Sequence, residues 1–393
     1  MFETLTDTPL FGANLITQQF KADPRDEKID LGLGVYRDEA GQTPVMEAVK
    51  KAEALLLKSQ TSKSYLGLAG DDAFSDALLR LVVGDTSVAE RFSYVQTPGG
   101  VAALRLAVEV IANVSSGSRI WMSDPSWANH GPIMRASGLE VLEFRYLDQA
   151  TQRLDFDGMC EDLAGAAPGD GVLLQACCHN PSGVDLEPAQ WDILCSILVD
   201  KGLLPILDVA YQGFGEGIEA DMYGVRVIAE AVPEAFMAVT CSKTFSNYRD
   251  RAGILAALSR KPDQKHRIRQ KMLGHINTLY AMPPDHAAAV VRTILTDPDL
   301  RTLWQTELND MRLRVVKCRQ NLSRALRQAT NGDHFDFLMH HRGMFSILPL
   351  SPSQVERLRL EFGIYILPSG RTNLAGLGDH QIQRVAQSIA AVL

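Results

Sequence analysis

Short apolar runs alternate with amphipathic stretches along the chain from about residue 92 to 260. Continuous apolar runs are typical of strands buried on both faces, and the stretches between them repeat apolar residues at helical spacing. The predicted strands are 92–96, 119–123, 140–146, 171–176, 203–208, 235–240 and 253–259. The predicted helices between them include 101–113, 187–201 and 221–231. This order predicts an α/β fold in which helices cover a mainly parallel sheet of seven strands.

The pattern changes after about residue 262. A long amphipathic segment at 299–330 predicts a surface helix that bridges two domains. Strand and helix signals then alternate to the C-terminus, which predicts a smaller α+β domain. The extended, glycine-punctuated stretch 29–34 is expected to join this domain. We therefore predict an N-terminal arm and part of the small domain at 1–41, a large domain at 42–305 and the rest of the small domain at 306–393.

Composition and charge narrow the possible functions. The chain has 393 residues, 46% hydrophobic and 22% charged, which is typical of a globular protein. A net charge of −8 argues against a nucleic-acid partner, because phosphate backbones select basic surfaces. The sequence shows no secretory signal and no run of eighteen apolar residues, so we expect a cytoplasmic protein without a membrane partner.

The six cysteines have no Cys-x-x-Cys spacing and are expected to be reduced thiols. The cluster Cys177-Cys178-His179 comes closest to a metal site. Adjacent cysteines on an extended strand point to opposite faces, so we predict that no metal binds there.

Polar side chains stand at the ends of three predicted strands. Asn180 follows 171–176, Asp208 closes 203–208, and Lys243 follows 235–240 with Arg251 eight residues later. An amine held in such a crevice can form a Schiff base. A carboxylate, an amide, an amine and a guanidinium at successive strand ends match what pyridoxal 5′-phosphate requires.

A glycine turn between a strand and a helix supplies a candidate phosphate site. The helix start offers free N–H groups and a positive dipole end. A paired-glycine turn is also common for structural reasons, but hydroxyls and a guanidinium are available to the same anion. The candidate phosphate ligands are Gly99, Gly100, Val101, Thr240, Ser242 and Arg251.

Further residues fit the cofactor ring. Asp208 would pair with the pyridine nitrogen, while Asn180 and Tyr211 would donate to the phenolic oxygen. Trp127 would stack on the ring, and His130 would support Asp208 from behind. Taken singly, these residues also fit a helix cap, a turn or a core position.

Arg371 lies between small residues in 369–376, where its planar group can be preorganised for a carboxylate. A solvated arginine on a loop is the alternative. An enzyme for α-amino acids must hold an α-carboxylate, and Arg371 is the candidate in the small domain.

Taken together, several motifs resemble the aspartate and aromatic aminotransferase family, in order and along nearly the whole chain. They are Gly34-Val35-Tyr36-Arg37-Asp38, Tyr65-Leu66-Gly67, Thr97-Pro98-Gly99-Gly100, Asn129-His130, Cys178-His179-Asn180-Pro181, Asp208-x-Ala210-Tyr211-Gln212-Gly213-Phe214, Ser242-Lys243 and Ser369-Gly370-Arg371. The resemblance implies a homodimer with active sites at the subunit interface and a small domain that closes on substrate. It implies that Lys243 is the Schiff-base lysine and the proton shuttle. It also implies that Tyr65 reaches the neighbouring subunit's phosphate, and that Arg371, Gly34 and Asn180 hold the α-carboxylate.

Three positions depart from the family's pattern. Val101 stands where a threonine usually contributes a hydroxyl, and Asn14 stands where an apolar residue usually lies near the substrate side chain. Asn277 stands where an arginine pairs with the distal carboxylate of aspartate or glutamate. Losing that ion pair costs on the order of 2–5 kcal/mol, so we expect dicarboxylates to be poor substrates unless His275 compensates.

The sequence thus predicts a pyridoxal phosphate-dependent L-amino acid:2-oxo acid aminotransferase that works by ping-pong transamination in amino acid or specialised-metabolite biosynthesis. Two asparagines in one pocket favour a polar or basic substrate such as arginine, and an aromatic one would be tolerated. The alternatives are an aspartate aminotransferase, a lyase or epimerase that uses the same cofactor, and a non-catalytic relative.

Overall fold

The computed structural model describes Phe2, residues 12–115 and residues 117–393. Helices and strands follow one another along these residues as α1 Gly12–Ala22, β1 Ile29–Asp30, α2 Glu47–Ser59, α3 Asp72–Val83, β2 Phe92–Thr97, α4 Gly100–Val114, β3 Arg119–Asp124, α5 His130–Arg135, β4 Glu140–Arg145, β5 Leu147–Asp148, β6 Arg153–Leu154, α6 Phe156–Ala164, β7 Gly171–Gln175, α7 Pro188–Lys201, β8 Leu204–Val209, α8 Tyr223–Ala231, β9 Ala235–Thr240, β10 Gly253–Leu258, α9 Pro262–Leu279, α10 His286–Thr296, α11 Pro298–Thr330, β11 Phe345–Ile347, α12 Pro352–Phe362, β12 Ile364–Tyr365, β13 Arg371–Asn373 and α13 Ile382–Val392.

The central sheet has seven strands in the order β2-β10-β9-β8-β7-β3-β4. Neighbouring strands from β4 to β9 pair in parallel, while β10 runs antiparallel to both β9 and β2. The predicted mainly parallel sheet is confirmed, and no predicted strand boundary misses by more than one residue. The boundaries were predictable because β7, β9 and β10 are buried along their whole length and so consist of uninterrupted apolar runs.

Side chains alternate between two cores on the opposite faces of the sheet. On β9, Phe236 and Ala238 enter the core beneath α4, whereas Met237 and Val239 enter the core on the other face. On β8 the same alternation places Asp208 on the α4 face, two residues after the buried Ile206. Polar groups at the carboxyl ends of these strands therefore emerge beside the start of α4.

A third core gathers the C-terminal elements with the first strand. Strand β1 pairs in parallel with β12, and β11 pairs antiparallel with β13. The stretch 29–34 thus lies where the sequence analysis expected it. The domain boundaries at 41 and 305 remain a prediction.

Helix α11 contributes to two of the cores. Its first half places Trp304 and Leu308 in the core shared with the sheet, and its second half places Leu322 and Leu326 in the C-terminal core. The helix begins after Asp297, whose carboxylate accepts hydrogen bonds from two N–H groups of the first turn. As expected of an amphipathic surface helix, its polar side is exposed, while on its apolar side Trp304 is fully buried and stacks on Phe245 with ring centroids 4.7 Å apart.

The expectation that Cys177 and Cys178 point to opposite faces is wrong. Strand β7 ends at Gln175, and Cys178 adopts a left-handed backbone with φ of 53°. Both sulfur atoms and the Asp221 carboxylate consequently lie within 4.8 Å of one another. The carboxylate already accepts hydrogen bonds from backbone N–H groups of the loop at 213–217.

Among the helices of residues 12–115 and 117–393, none combines the length and the apolar character needed to cross a membrane.

Candidate active site

A cavity of about 180 Å³ opens at the carboxyl ends of β7, β8 and β9, beside the start of α4. The fold brings together most of the residues that were proposed separately from the sequence. The cavity is lined by Gly34, Gly100, Val101, Leu104, Trp127, Gln175, Asn180, Asp208, Ala210, Tyr211, Thr240, Ser242, Lys243, Tyr248 and Arg251.

Lys243 projects into this cavity from the turn after β9. Its Nζ lies 4.8 Å from the centroid of the Tyr211 ring. The pKa of Lys243 is lowered to about 8, chiefly by burial and also by the positive charges of Arg251 and Arg371, while Asp208 opposes the shift. A larger fraction of this amine is therefore neutral and nucleophilic at neutral pH than for a solvated lysine.

Asp208 is the buried carboxylate of the site and lies at the end of β8. Its Oδ2 atom is 3.1 Å from His130 Nε2, and His130 Nδ1 is 2.8 Å from Ser126 Oγ. His130 is fully buried and makes an edge-on contact with Trp127, with ring centroids 5.2 Å apart. The hydrogen-bonded chain fixes the orientation of the carboxylate, which is the supporting geometry expected of His130.

Asn180 and Tyr211 meet on one side of the cavity, where Asn180 Nδ2 donates to Tyr211 Oη at 3.1 Å. Gln175 fixes Asn180 from both directions. The Gln175 amide donates to the Asn180 carbonyl at 2.9 Å, and the Asn180 N–H donates to Gln175 Oε1 at 2.9 Å. The sequence analysis did not single out Gln175. The available signal was a polar residue at the end of an otherwise apolar strand, and in the sheet this residue pairs with Asp208. Burial raises the pKa of the Tyr211 hydroxyl, so this group stays protonated and available as a donor.

The candidate phosphate ligands surround the start of α4. Gly99 has φ of 86°, a conformation that favours glycine, and a Cβ at this position would overlap the Arg251 guanidinium. Arg251 Nη1 donates to Ser242 Oγ at 3.0 Å, and that oxygen is 3.0 Å from Thr240 Oγ1. A guanidinium, two hydroxyls and a helix N-terminus thus converge on one point, as a phosphate dianion requires.

Arg371 approaches the same cavity from β13. It is buried, its Nη2 donates to the Gly32 carbonyl at 2.6 Å, and its guanidinium carbon lies 4.6 Å from the centroid of the Phe345 ring. The Asn373 side chain donates to the carbonyls on either side of Gly34 and so holds that segment in place. Burial lowers the pKa of Arg371, and the group remains a fixed cation at neutral pH.

Three predicted site residues are exposed and do not line this cavity in the single chain. Tyr65 is 88% exposed, Asn277 is exposed near the end of α9, and Asn14 is exposed on α1. Residues 3–11, which precede α1 and Asn14, fall outside the described residues. Burial lowers the pKa of His275, the candidate to compensate for Asn277, and so disfavours its cationic form.

The donors of the cavity fit pyridoxal phosphate. Within the described residues, two buried polar atoms of the site have no hydrogen-bond partner, Asn180 Oδ1 and Arg371 Nε. Buried polar atoms are normally satisfied, which indicates that a ligand completes this site. An amine, a carboxylate, a phosphate cradle and a further guanidinium meet the distinct groups of the cofactor and of an amino acid.

Known proteins resemble this chain along its whole length. Residues 26–389 match the family model described as aminotransferase class I and II. The tyrosine aminotransferase of Rhizobium meliloti (strain 1021) is 47% identical over 389 residues, which cover 98% of each chain. The aspartate aminotransferase of Escherichia coli (strain K12) is 41% identical over 396 residues, which cover both chains completely.

A solved structure agrees with this assignment. The aromatic-amino-acid aminotransferase of Burkholderia pseudomallei, covalently bound to pyridoxal phosphate, superposes with a TM-score of 0.97 at 38% identity, covering 100% of this chain and 99% of that one. The predicted family and enzyme class are therefore confirmed. The chain belongs to the class I and II aminotransferases.

Proposed function

We propose that this aminotransferase moves the amino group of an L-amino acid without a side-chain carboxylate to a 2-oxo acid, in a ping-pong reaction that uses pyridoxal 5′-phosphate. Family membership confirms the predicted cofactor. The observation that carries the proposal is the convergence of Lys243, Asp208 and Arg251 in one cavity, with Arg371 beside it. We expect the reaction to take place in the cytoplasm.

Each of these groups has a distinct task. Bound pyridoxal phosphate supplies an aldehyde for covalent attachment and a ring that accepts electrons from the substrate's α C–H bond. Lys243 Nζ takes the α-proton and returns it, because its lowered pKa of about 8 suits proton transfer near neutral pH. Asp208, oriented by His130, holds a proton on the pyridine nitrogen. Arg371 binds the α-carboxylate and so sets the orientation of the reacting bond.

Two further residues are proposed to act from a second copy of the chain in a homodimer. Tyr65 is 88% exposed and Leu57, eight residues earlier, is 87% exposed, so both side chains are available for contact with a second copy of the chain. A second copy that packs over Tyr65 and Leu57 would bury both side chains. It would also allow Tyr65 and Asn277 to reach the partner's cavity.

The substrate side chain is proposed to be aromatic. Asn277, if it faces the substrate as proposed, would present no charge to a distal carboxylate. Of the relatives reported above, which are named for tyrosine, aromatic amino acids and aspartate, the first two support this choice. A basic substrate such as arginine finds no support in those relatives. Asn14 also lies on the exposed face of α1 and does not line the described cavity.

A panel of the twenty amino acids tests the proposal. Each is added alone to the loaded enzyme, and the rate of conversion of the bound cofactor to its amine form is measured by absorbance. We expect phenylalanine and tyrosine to react faster than aspartate by about thirtyfold or more, the ratio that corresponds to a lost charge pair. Faster reaction of aspartate would refute the proposal, and faster reaction of arginine would replace an aromatic substrate by a basic one.

An Asn277→Arg variant tests the assigned position directly. A bidentate partner for the distal carboxylate should raise kcat/KM for aspartate by about thirtyfold. Asn309→Arg adds the same charge on the exposed surface of α11 and serves as the matched control. Equal kcat/KM values for aspartate in the two variants would show that Asn277 does not face the substrate.

The lyase and epimerase alternative makes a different prediction. Such an enzyme returns the cofactor to its original form after acting on an amino acid, without consuming a 2-oxo acid. Aminotransfer requires one equivalent of new amino acid for each equivalent of 2-oxo acid consumed. Chromatographic analysis of both products distinguishes the two reactions.

A further inference from the structure

A buried arginine that makes no ion pair with any described residue lies near the active site but outside its cavity. Arg319, in the second half of α11, is only 2% exposed. Its hydrogen bonds go to backbone carbonyls and one hydroxyl, without a carboxylate among the described partners. Burial lowers its pKa to about 10, opposed by Cys178, Asp185 and Cys318, so the guanidinium is charged at neutral pH. Burying an unpaired charge is costly, and such a position calls for a specific role.

All of these hydrogen bonds end on one short segment of chain. Arg319 Nε donates to the Gly343 carbonyl at 3.1 Å, and Nη2 donates to the carbonyls of Arg342 at 3.0 Å and Gly343 at 2.7 Å. Nη2 also donates to the Phe345 carbonyl, and Nη1 donates to Ser346 Oγ at 2.6 Å. One rigid, planar group therefore holds four residues of the segment 342–346, just before and at the start of β11.

The same segment is held against the central sheet from its other side. The Arg342 N–H donates to the Gly183 carbonyl at 2.7 Å, just after Asn180. Gly343 has φ of 71°, and a Cβ there would overlap Cys178. The segment 342–346 is thus clamped between α11 and the loop that carries Asn180.

Phe345, which this segment positions, touches three residues of the active site. A Cβ on Gly34 would lie 2.9 Å from the end of the Phe345 ring. The ring is edge-on to Tyr211 with centroids 6.0 Å apart, and it supports the Arg371 guanidinium at 4.6 Å. Phe345 itself is 1% exposed, so its ring has no room to turn away from these neighbours.

We propose that Arg319 is a positioning residue for recognition of the substrate's α-carboxylate, acting through the backbone of 342–346 and the Phe345 ring on Arg371. This inference rests on the proposed function, in which Arg371 binds that carboxylate. Both substrates of a ping-pong aminotransferase carry the same carboxylate. Arg319 consequently affects the binding of the amino acid and of the 2-oxo acid alike.

The test replaces Arg319 by methionine and measures both half-reactions of the loaded enzyme, with the best amino acid of the panel and its 2-oxo acid partner. We expect KM to rise about tenfold for both substrates and kcat to change by less than about threefold, as for a loss of uniform binding. Calorimetric affinity for 3-phenylpropionate, a carboxylate that cannot react, should fall by a similar factor. Arg324→Met, which removes an exposed arginine of the same helix bonded only to Asn321, should leave these values unchanged.

A double-mutant cycle separates this role from a general structural one. Phe345→Leu should raise KM by itself, and adding Arg319→Met to it should raise KM no further, because both changes act through the same ring. If the increase of KM in the double variant equals the product of the increases in the two single variants, the proposal is overturned. A wild-type KM in Arg319→Met would also overturn it.

Arg319→Lys is a second variant in case Arg319→Met does not fold. It keeps the charge but reaches fewer carbonyls. This variant should show a smaller rise of KM in the same direction, about threefold, with the thermal unfolding temperature measured in parallel. An unchanged KM in Arg319→Lys, when Arg319→Met does not fold, would count against the proposal. A different result would contradict the aminotransferase activity on which this inference rests, namely that the wild-type enzyme transaminates none of the twenty amino acids.

Discussion

Replacing Arg371 provides the most direct test of how this site holds its substrate. One of its nitrogens already donates to the Gly32 carbonyl, its Nε is buried without a partner, and its face lies on Phe345. The guanidinium is therefore fixed by the protein before substrate arrives, and its remaining N–H groups are free for a carboxylate. Little conformational entropy is lost when the substrate binds.

The expected loss follows from this geometry. Truncating one partner of a buried, hydrogen-bonded charge pair costs about 2–5 kcal/mol, so Arg371→Met should lower kcat/KM by about thirtyfold to several thousandfold. Arg371→Lys keeps a charge but cannot bind a carboxylate with two parallel N–H groups, and we expect a loss of about tenfold to thirtyfold. The methionine variant also leaves the Gly32 carbonyl without its donor, at a cost of about 1–3 kcal/mol in the free energy of unfolding.

Stopped-flow half-reactions with the preferred amino acid and with its 2-oxo acid measure these losses. Both substrates should lose kcat/KM by the same factor, because both carry the carboxylate. Urea unfolding of the variants separates lost binding from lost stability. A value of kcat/KM within about threefold of wild type in Arg371→Met would refute the assignment of Arg371 as the carboxylate ligand.

Two further predictions concern the cofactor. The rate at which the apoprotein forms a borohydride-fixed adduct with pyridoxal phosphate should rise about tenfold per pH unit below pH 8 and level off above it, because the neutral fraction of Lys243 follows its lowered pKa of about 8. A rate that continues to rise beyond pH 9 would indicate an ordinary lysine. Gly99→Ala should weaken cofactor binding, measured by absorbance titration, by about tenfold, because a Cβ at φ of 86° overlaps Arg251. Gly41→Ala has a similar φ of 74° with open space around it, so equal losses of cofactor affinity in both variants would contradict this explanation.

The local charge of the cavity is opposite to that of the whole chain. The net charge is −8, yet Lys243, Arg251 and Arg371 outnumber the single carboxylate of Asp208 among the site residues. Binding of a phosphate by Arg251 and of a carboxylate by Arg371, as proposed, would offset the two positive charges that lower the pKa of Lys243. The proposed site would in that way couple anion binding to the protonation of Lys243.

The sequence by itself determined the strands, the order of the chemistry along the chain and the family. Apolar runs indicated the boundaries of the fully buried strands β7, β9 and β10, because strands buried on both faces have few polar positions. Lys243, Asp208 and Asn180 stood out because each follows or closes such a run. Motifs in order along the chain then predicted the family and the cofactor, both of which are confirmed.

The tertiary structure decided what depends on contacts between distant segments. Arg319 looked like any arginine of an amphipathic helix, and only packing shows that its charge is buried and directed at 342–346. Cys177 and Cys178 share a side because Cys178 has a left-handed backbone, which sequence spacing does not encode. The spacing of apolar residues shows which side of a helix or strand is buried. It does not show which side chains meet there, because those come from segments far away in sequence. For that reason the sequence predicted the candidate reacting groups and one supporting residue, His130, whereas only the fold revealed the contacts of Gln175 and Arg319.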